Sequence, residues 1–170
     1  MNILPEILGR HSQKVFLDKP VASEVMERIL EAGRLAPSAK NRQPWRFLVL
    51  QDPSLRKKVA DTAYGQEWVA LAPAIIALCT TNIDYRMPNG IVSYPVDITF
   101  AASFMLIQAQ HEGLSSCINT TFQEDDLRSL LTVPHSMRIV MLLILGYPAD
   151  TENDIHERLP LGRIVSYDHW

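Results

Sequence analysis

Between Pro95 and Gly113 the sequence reads PVDITFAASFMLIQAQHEG, and this stretch limits the possible folds more than any other. Phe100, Ala101, Phe104, Met105, Gln108 and Ala109 recur at helical spacing, and Ile98, Ala102 and Leu106 extend the apolar character to a neighbouring face. A helix apolar on most sides is buried on most sides. It has to lie in the centre of a domain or at an interface between subunits. Gly113 marks its end, as a C-terminal glycine does.

The rest of the chain supplies the layers around it. Ile3 to Gly9 predicts a short first helix. Glu24 to Ala36 predicts an amphipathic one, with Val25, Met26, Ile29, Leu30, Gly33 and Ala36 on one face and Glu24 and Arg28 able to pair outside. Pro37 stops it. Asp52 caps a helix that opens with Pro53 and runs to about Thr62, and Gln66 to Leu71 is another. Glu124 to Leu131 is the last helix. Phe47 to Leu50, Pro73 to Thr80, Ser115 to Asn119 and Ile139 to Leu145 read as strands, the second continuously apolar and so central. Helices outnumber strands and the two are interspersed, which allows α+β or α/β. Periodicity gives no strand order.

At 170 residues the chain fits one domain of residues 1–170, with no linker or repeat. Its charge, 16 − 19 = −3, favours neither nucleic acid nor an anionic membrane as partner. No apolar run reaches the length of a membrane span, and the opening MNILPEILGRHS lacks the apolar core of a signal peptide. Cys79 and Cys117 stand alone, as free thiols do in a reducing compartment, so the expected location is cytoplasmic.

Several chemistries lack their motifs. GxGxxG and GxxxxGK[ST] are absent, as are HExxH, zinc-finger spacing and GxSxG. No metal site is expected. Two segments carry a signal. Arg10-His11-Ser12-Gln13-Lys14 packs two cations, a hydroxyl and an imidazole into five residues. It is either a solvated charged face or a phosphate grip. The loop PSAKNRQPW at 37–45 sets Ser38, Asn41 and Gln43 between two prolines. It is either a turn that ends a helix or a rigid surface that reads the edge of a ring.

The chain resembles the FMN-dependent nitroreductases in their short-subunit form. The landmarks are RHSQKVFLDKPV at 10–21, ILEAGRLAPSAKNRQPWRFLVL at 29–50, AP at 72–73, Asp97, GLSSC at 113–117, LGYP at 145–148 and LPLGRIVSYD at 159–168. The resemblance implies an α+β, three-layer fold: a central mixed, mainly antiparallel sheet flanked by helices. It implies an intertwined homodimer in which a tail of residues about 155–170 wraps the partner, and two FMN sites each built from both subunits. In that pattern Arg10 binds phosphate, His11 and Ser12 line the ribityl and phosphate region, and Lys14 lies at the N1 and O2 edge of the flavin. Pro37, Ser38 and Asn41 come from the other subunit, and Arg158 completes the phosphate site. NADH or NADPH is the implied donor, a nitroaromatic or quinone the acceptor, and no side chain serves as catalytic acid or base.

The match departs at GLSSCINTTF, where Ser115, Ile118, Thr120 and Thr121 replace the family's glycine, tryptophan and glycine pair. Thr120 and Thr121 are expected beside the flavin, with the backbone donor shifted. The departure keeps two alternatives open: a flavoenzyme of the same fold acting on one metabolite, and a flavin-binding or regulatory dimer without catalysis. Tyr85, Arg86 and Tyr94, on the loop 82–94, are read as packing residues or ligand contacts. Trp45 is assigned to the core, and Cys117 is read as a buried structural thiol.

Overall fold

The computed structural model of the protein describes residues 2–149 and 157–170. Four strands form one sheet: β1 (Trp45–Leu50), β2 (Ala74–Thr80), β3 (Ser115–Asn119) and β4 (Arg138–Gly146). Their order is β1-β2-β4-β3, and every ladder is antiparallel. The expected mixed character is confined to one isolated parallel bridge, Ser12 to Ser116, where the segment after the first helix lies against the β3 edge. β2 sits inside the sheet, and each of its residues is buried, as its continuous apolar run requires.

Alternation sorts the core onto two faces. Ala74, Ile76, Leu78, Leu143 and Leu145 meet the helices α2 (Ser23–Arg34) and α5 (Ser93–His111) on one side. Ile75, Ala77, Cys79, Leu142 and Ile144 meet α3 (Pro53–Thr62), α4 (Glu67–Leu71) and α6 (Glu124–Leu130) on the other. A short α1 (Pro5–Gly9) carries no buried residue. The arrangement is α+β, in three layers. At Leu78 and Cys79 the register slips, because Met141 opposes the first and Ile139 the second. Val140 is the extra residue of a bulge. It resets the alternation, so Ile139 and Leu142 share a face although they are three apart.

Local rules explain most boundaries. Asp52 accepts a hydrogen bond from the Leu55 N–H at 2.8 Å and so caps α3. α5 starts at Ser93, two residues before the expected Pro95. Proline is tolerated there because the first helical N–H groups have no intrahelical acceptor. α2 ends at Arg34, before Ala36, since Pro37 pushes the residue preceding it out of the helical region. The expected Glu24–Arg28 pair gives way to a bond between helices. Arg28 donates to both oxygens of Glu112 at 2.7 Å, and Gln108 adds a third donor at 2.8 Å. A bidentate, multiply bonded carboxylate outcompetes an exposed i,i+4 pair.

Among the described residues no helix is long and apolar enough to cross a membrane. Trp45 is buried in the core cluster of α2 and α5, as expected.

Candidate active site

The stretch after α1 runs along β3 because its backbone pairs there. Ser12 bridges Ser116, and the Gln13 N–H donates to the Ser116 carbonyl at 3.2 Å. This placement brings Arg10, Ser12 and Lys14 to the buried Cys117. Burial raises the Cys117 thiol pKa, opposed by the charge of Lys14, a hydrogen bond from Ser12 and the charge of Arg10. A thiol held protonated is a poor nucleophile, in keeping with a structural role.

His11 points its Nδ1 at the Gly9 carbonyl, 3.0 Å away. A carbonyl only accepts, so Nδ1 is the donor of this bond. The other ring nitrogen, Nε2, is buried and has no partner among the described residues.

β3 leads directly into Thr120 and Thr121. The Asn119 Oδ1 accepts from the Thr121 N–H at 2.7 Å, so the side chain of Asn119 shapes the turn. Neither threonine needs a positive φ. The Thr121 N–H is thereby committed within the chain. Asn119 Nδ2 is left buried and, among the described residues, unpaired.

Two residues that the sequence did not single out complete this edge. Gln66 donates to the Thr121 carbonyl at 3.2 Å and accepts from the Trp68 indole at 3.2 Å. The Lys14 ammonium lies 5.3 Å from the centre of the Trp68 ring. Lys14, Trp68, Gln66 and Thr121 thus form a connected lip beside β3. The signal was present, since GQEW opens α4, but its meaning depends on a contact across 55 residues.

Pro37, Ser38 and Asn41 belong to a different place. They lie in the loop before β1, where Pro37 and Ser38 lead into a short 3₁₀ turn, Ala39–Asn41, that Asn41 ends. Asp97, buried in α5, accepts from the Ala39 N–H at 2.7 Å, and Ser38 Oγ accepts from the Gln43 N–H at 2.9 Å. Lys40, Asn41 and Gln43 all adopt a positive φ, between 50° and 53°. Non-glycine residues hold that conformation only when their surroundings impose it.

The loop 82–94 is more ordered than the sequence indicated. Arg86 bridges Val92, the Met87 N–H donates to Ile91 at 2.8 Å, and the turn closes at Gly90 with φ 86°. Tyr85 is a packing residue here: the Arg42 guanidinium stacks on its ring at 3.7 Å. Tyr94 falls in the first turn of α5.

The β1 and β3 edges are on opposite sides of the sheet. Three strand spacings separate them, about 14 Å. Within one chain, therefore, the structure joins Arg10, Ser12, Lys14, Thr120 and Thr121 but holds Ser38 and Asn41 apart from them. Arg158 lies in the exposed tail, with its Nη1 3.4 Å from the Glu157 carbonyl. Its place at a phosphate rests on the resemblance alone. Residues 155 and 156 of the expected tail lie outside the described residues.

Comparison with known proteins agrees with this geometry. The sequence profile of the nitroreductase family matches residues 7–81 and 61–147. The chain belongs to the nitroreductase family. A nitroreductase family protein from Clostridium difficile 630 superposes over 100% of both chains, with a TM-score of 0.87 and 28% identity. An NADH dehydrogenase of Thermus thermophilus is 30% identical over 189 residues, covering 93% of this chain and 92% of its own. An FMN reductase [NAD(P)H] of Bacillus subtilis is 25% identical over 165 residues, covering 87% and 66%. As a nitroreductase family member the protein is a flavin-type oxidoreductase. Its unpaired polar atoms fit FMN. Arg10 and Lys14 supply fixed positive charge, and among the described residues Asn119 Nδ2 and His11 Nε2 are buried polar atoms without a partner that would suit the cofactor's polar groups.

Proposed function

We propose that the chain is one subunit of an FMN-dependent oxidoreductase. It takes electrons from NADH or NADPH and passes them to a nitroaromatic or quinone-like acceptor in ping-pong order. The observation that carries this reading is the β3 edge, where cations and unpaired polar atoms converge beside Lys14, Trp68, Gln66 and Thr121. The names of the Thermus and Bacillus relatives support it.

FMN, when bound, supplies the hydride and electron chemistry. The chain supplies position and charge. Arg10 grips the phosphate with a planar fork of donors. His11 and Ser12 hold the ribityl chain. Lys14 keeps a fixed positive charge where negative charge develops on reduction. Thr120 and Thr121 border the ring. No side chain has to move a proton.

The second half of the site, Pro37, Ser38 and Asn41, comes from a second copy in this reading. Two surfaces support a homodimer. Leu4, Ile7, Leu35, Phe104 and Ile107 line an open cavity of about 580 Å³ on the outer side of α2 and α5. The tail carries exposed Leu161, Ile164, Tyr167 and Trp170, the last 91% exposed. Apolar surface of that extent is normally covered. The tail wraps the partner, bringing Arg158 to its phosphate site.

The deciding experiment is the visible spectrum of the purified protein before and after anaerobic NADH and NADPH. Flavin bands near roughly 370 and 450 nm that bleach, then return with a quinone, are expected. A protein that stays colourless after incubation with FMN would end this reading. Bound flavin that no donor reduces would leave a flavin-binding dimer without reductase activity.

A further inference from the structure

The chain is acidic overall, yet one exposed surface brings two cations onto a single ring. Arg42 stacks on the Tyr85 ring at 3.7 Å, and the Lys40 ammonium lies 5.6 Å from the same ring centre. Among the described residues neither cation forms an ion pair, and Asp84, the chain neighbour of Tyr85, bonds to neither. Two like charges sharing one ring repel each other. The attraction of the ring's π face offsets part of that repulsion and fixes both side chains in place.

This attachment leaves the charges available. A guanidinium lying flat on an aromatic ring keeps the N–H edges of its fork free, and those edges match a phosphate. Lys40 has three donors and no acceptor of its own. The supports on both sides are built. Asp97 anchors the turn through Ala39, and the 86–92 hairpin holds Tyr85, whose carbonyl accepts from the Ser93 N–H at 3.0 Å. The strained conformations of Lys40 and Asn41 present these side chains together.

We propose that Lys40 and Arg42, mounted on Tyr85, form a phosphate-reading site for the nicotinamide donor. The inference rests on the reading given under Proposed function, because Ser38 and Asn41, on the same turn, are the residues assigned there to the flavin. A donor bound over that flavin extends its phosphates beyond the ring, and this turn offers the cations that meet them. The group bound is a phosphate: either the pyrophosphate common to both donors or the 2′-phosphate carried by NADPH alone.

The test uses the flavin-loaded protein and rapid-mixing reduction by NADH and by NADPH, comparing wild type with Arg42→Gln, Arg42→Lys and Lys40→Gln. Arg42→Gln is expected to raise the half-saturating donor concentration about ten-fold, as for the loss of one charge-assisted hydrogen bond. Arg42→Lys should lie between, since it keeps the charge and loses the fork. A loss confined to NADPH identifies the 2′-phosphate, and an equal loss with both donors identifies the pyrophosphate. Unchanged values for both donors in variants that melt like wild type would overturn the proposal. A parallel arm separates this failure from failure of the flavin reading. Two fragments are titrated onto the protein without added flavin: 2′,5′-ADP, which carries the 2′-phosphate, and ADP, which carries the pyrophosphate. Weaker binding of either to Arg42→Gln than to wild type upholds the phosphate site even where no flavin binds, and no binding of either to wild type overturns it.

Discussion

Arg10 and Lys14 differ in what they should do when removed. If Arg10 holds the phosphate as proposed, Arg10→Ala is expected to weaken FMN binding by about ten- to a hundred-fold, read by fluorescence titration. Lys14→Ala removes the charge proposed to face the flavin edge. It should lower the flavin's reduction potential by roughly 30 mV for each 1.4 kcal/mol of lost stabilisation, with little change in melting temperature. A redox titration superimposable on wild type would remove Lys14 from the flavin edge. Glu112 offers a pH-dependent contrast away from the site. Hydrogen bonds from Arg28 hold its pKa at about 2. A depressed carboxyl stabilises the fold fully above its unfolded value, near 4.5, and that contribution fades as pH falls toward 2. Arg28→Ala should therefore flatten the acid limb of a melting-temperature profile between those values. At this scale the sequence was legible where chemistry is local. Arg10, Ser12 and Lys14 alternate along one extended segment, so their convergence follows from the backbone. Gln66 and Trp68 were not legible, since their partners Thr121 and Lys14 are distant along the chain.

The elements were read from the sequence because each has a local cause. Asp52 and Pro53 start α3, and β3 spans Ser115–Asn119 as predicted. The bulge at Val140 escaped, because an all-apolar run such as IVMLLIL has no alternation for one extra residue to break. Two glycines separate loose from rigid contacts between elements. A methyl group on Gly146 would stand 2.6 Å from Pro73 Cδ and 2.8 Å from Phe16 Cδ1, both parts of rings. Gly146→Ala should destabilise by about 1–3 kcal/mol in urea unfolding. On Gly33 the methyl would meet the end of the Met105 side chain, which can swing aside. Alanine's better helix propensity offsets what remains, so Gly33→Ala should fall within about 1 kcal/mol of wild type. Equal losses at the two sites would contradict this distinction.

For the molecule as a whole, strand order was the missing information. Periodicity reports which face of a strand is buried and says nothing about which strand lies beside it. The order β1-β2-β4-β3 sets the two halves of the candidate site on opposite margins of the sheet. The apolar excess of α5 was legible, and its cause is partly visible: Phe100 and Phe104 remain 45% and 42% exposed on the outer face of the helix.

The separation of those margins implies a form of genetic complementation. If each flavin is held by Arg10 of one copy and Asn41 of the other, two variants assayed at an FMN concentration too low to load their weakened sites carry complementary defects. Arg10→Ala and Asn41→Ala chains, unfolded together and refolded as a mixture, would pair at random. Half of the pairs would be mixed, and each mixed pair would own one site with both residues intact, so about a quarter of wild-type activity should return. Activity that stays absent in the mixture would mean that each chain builds its site alone.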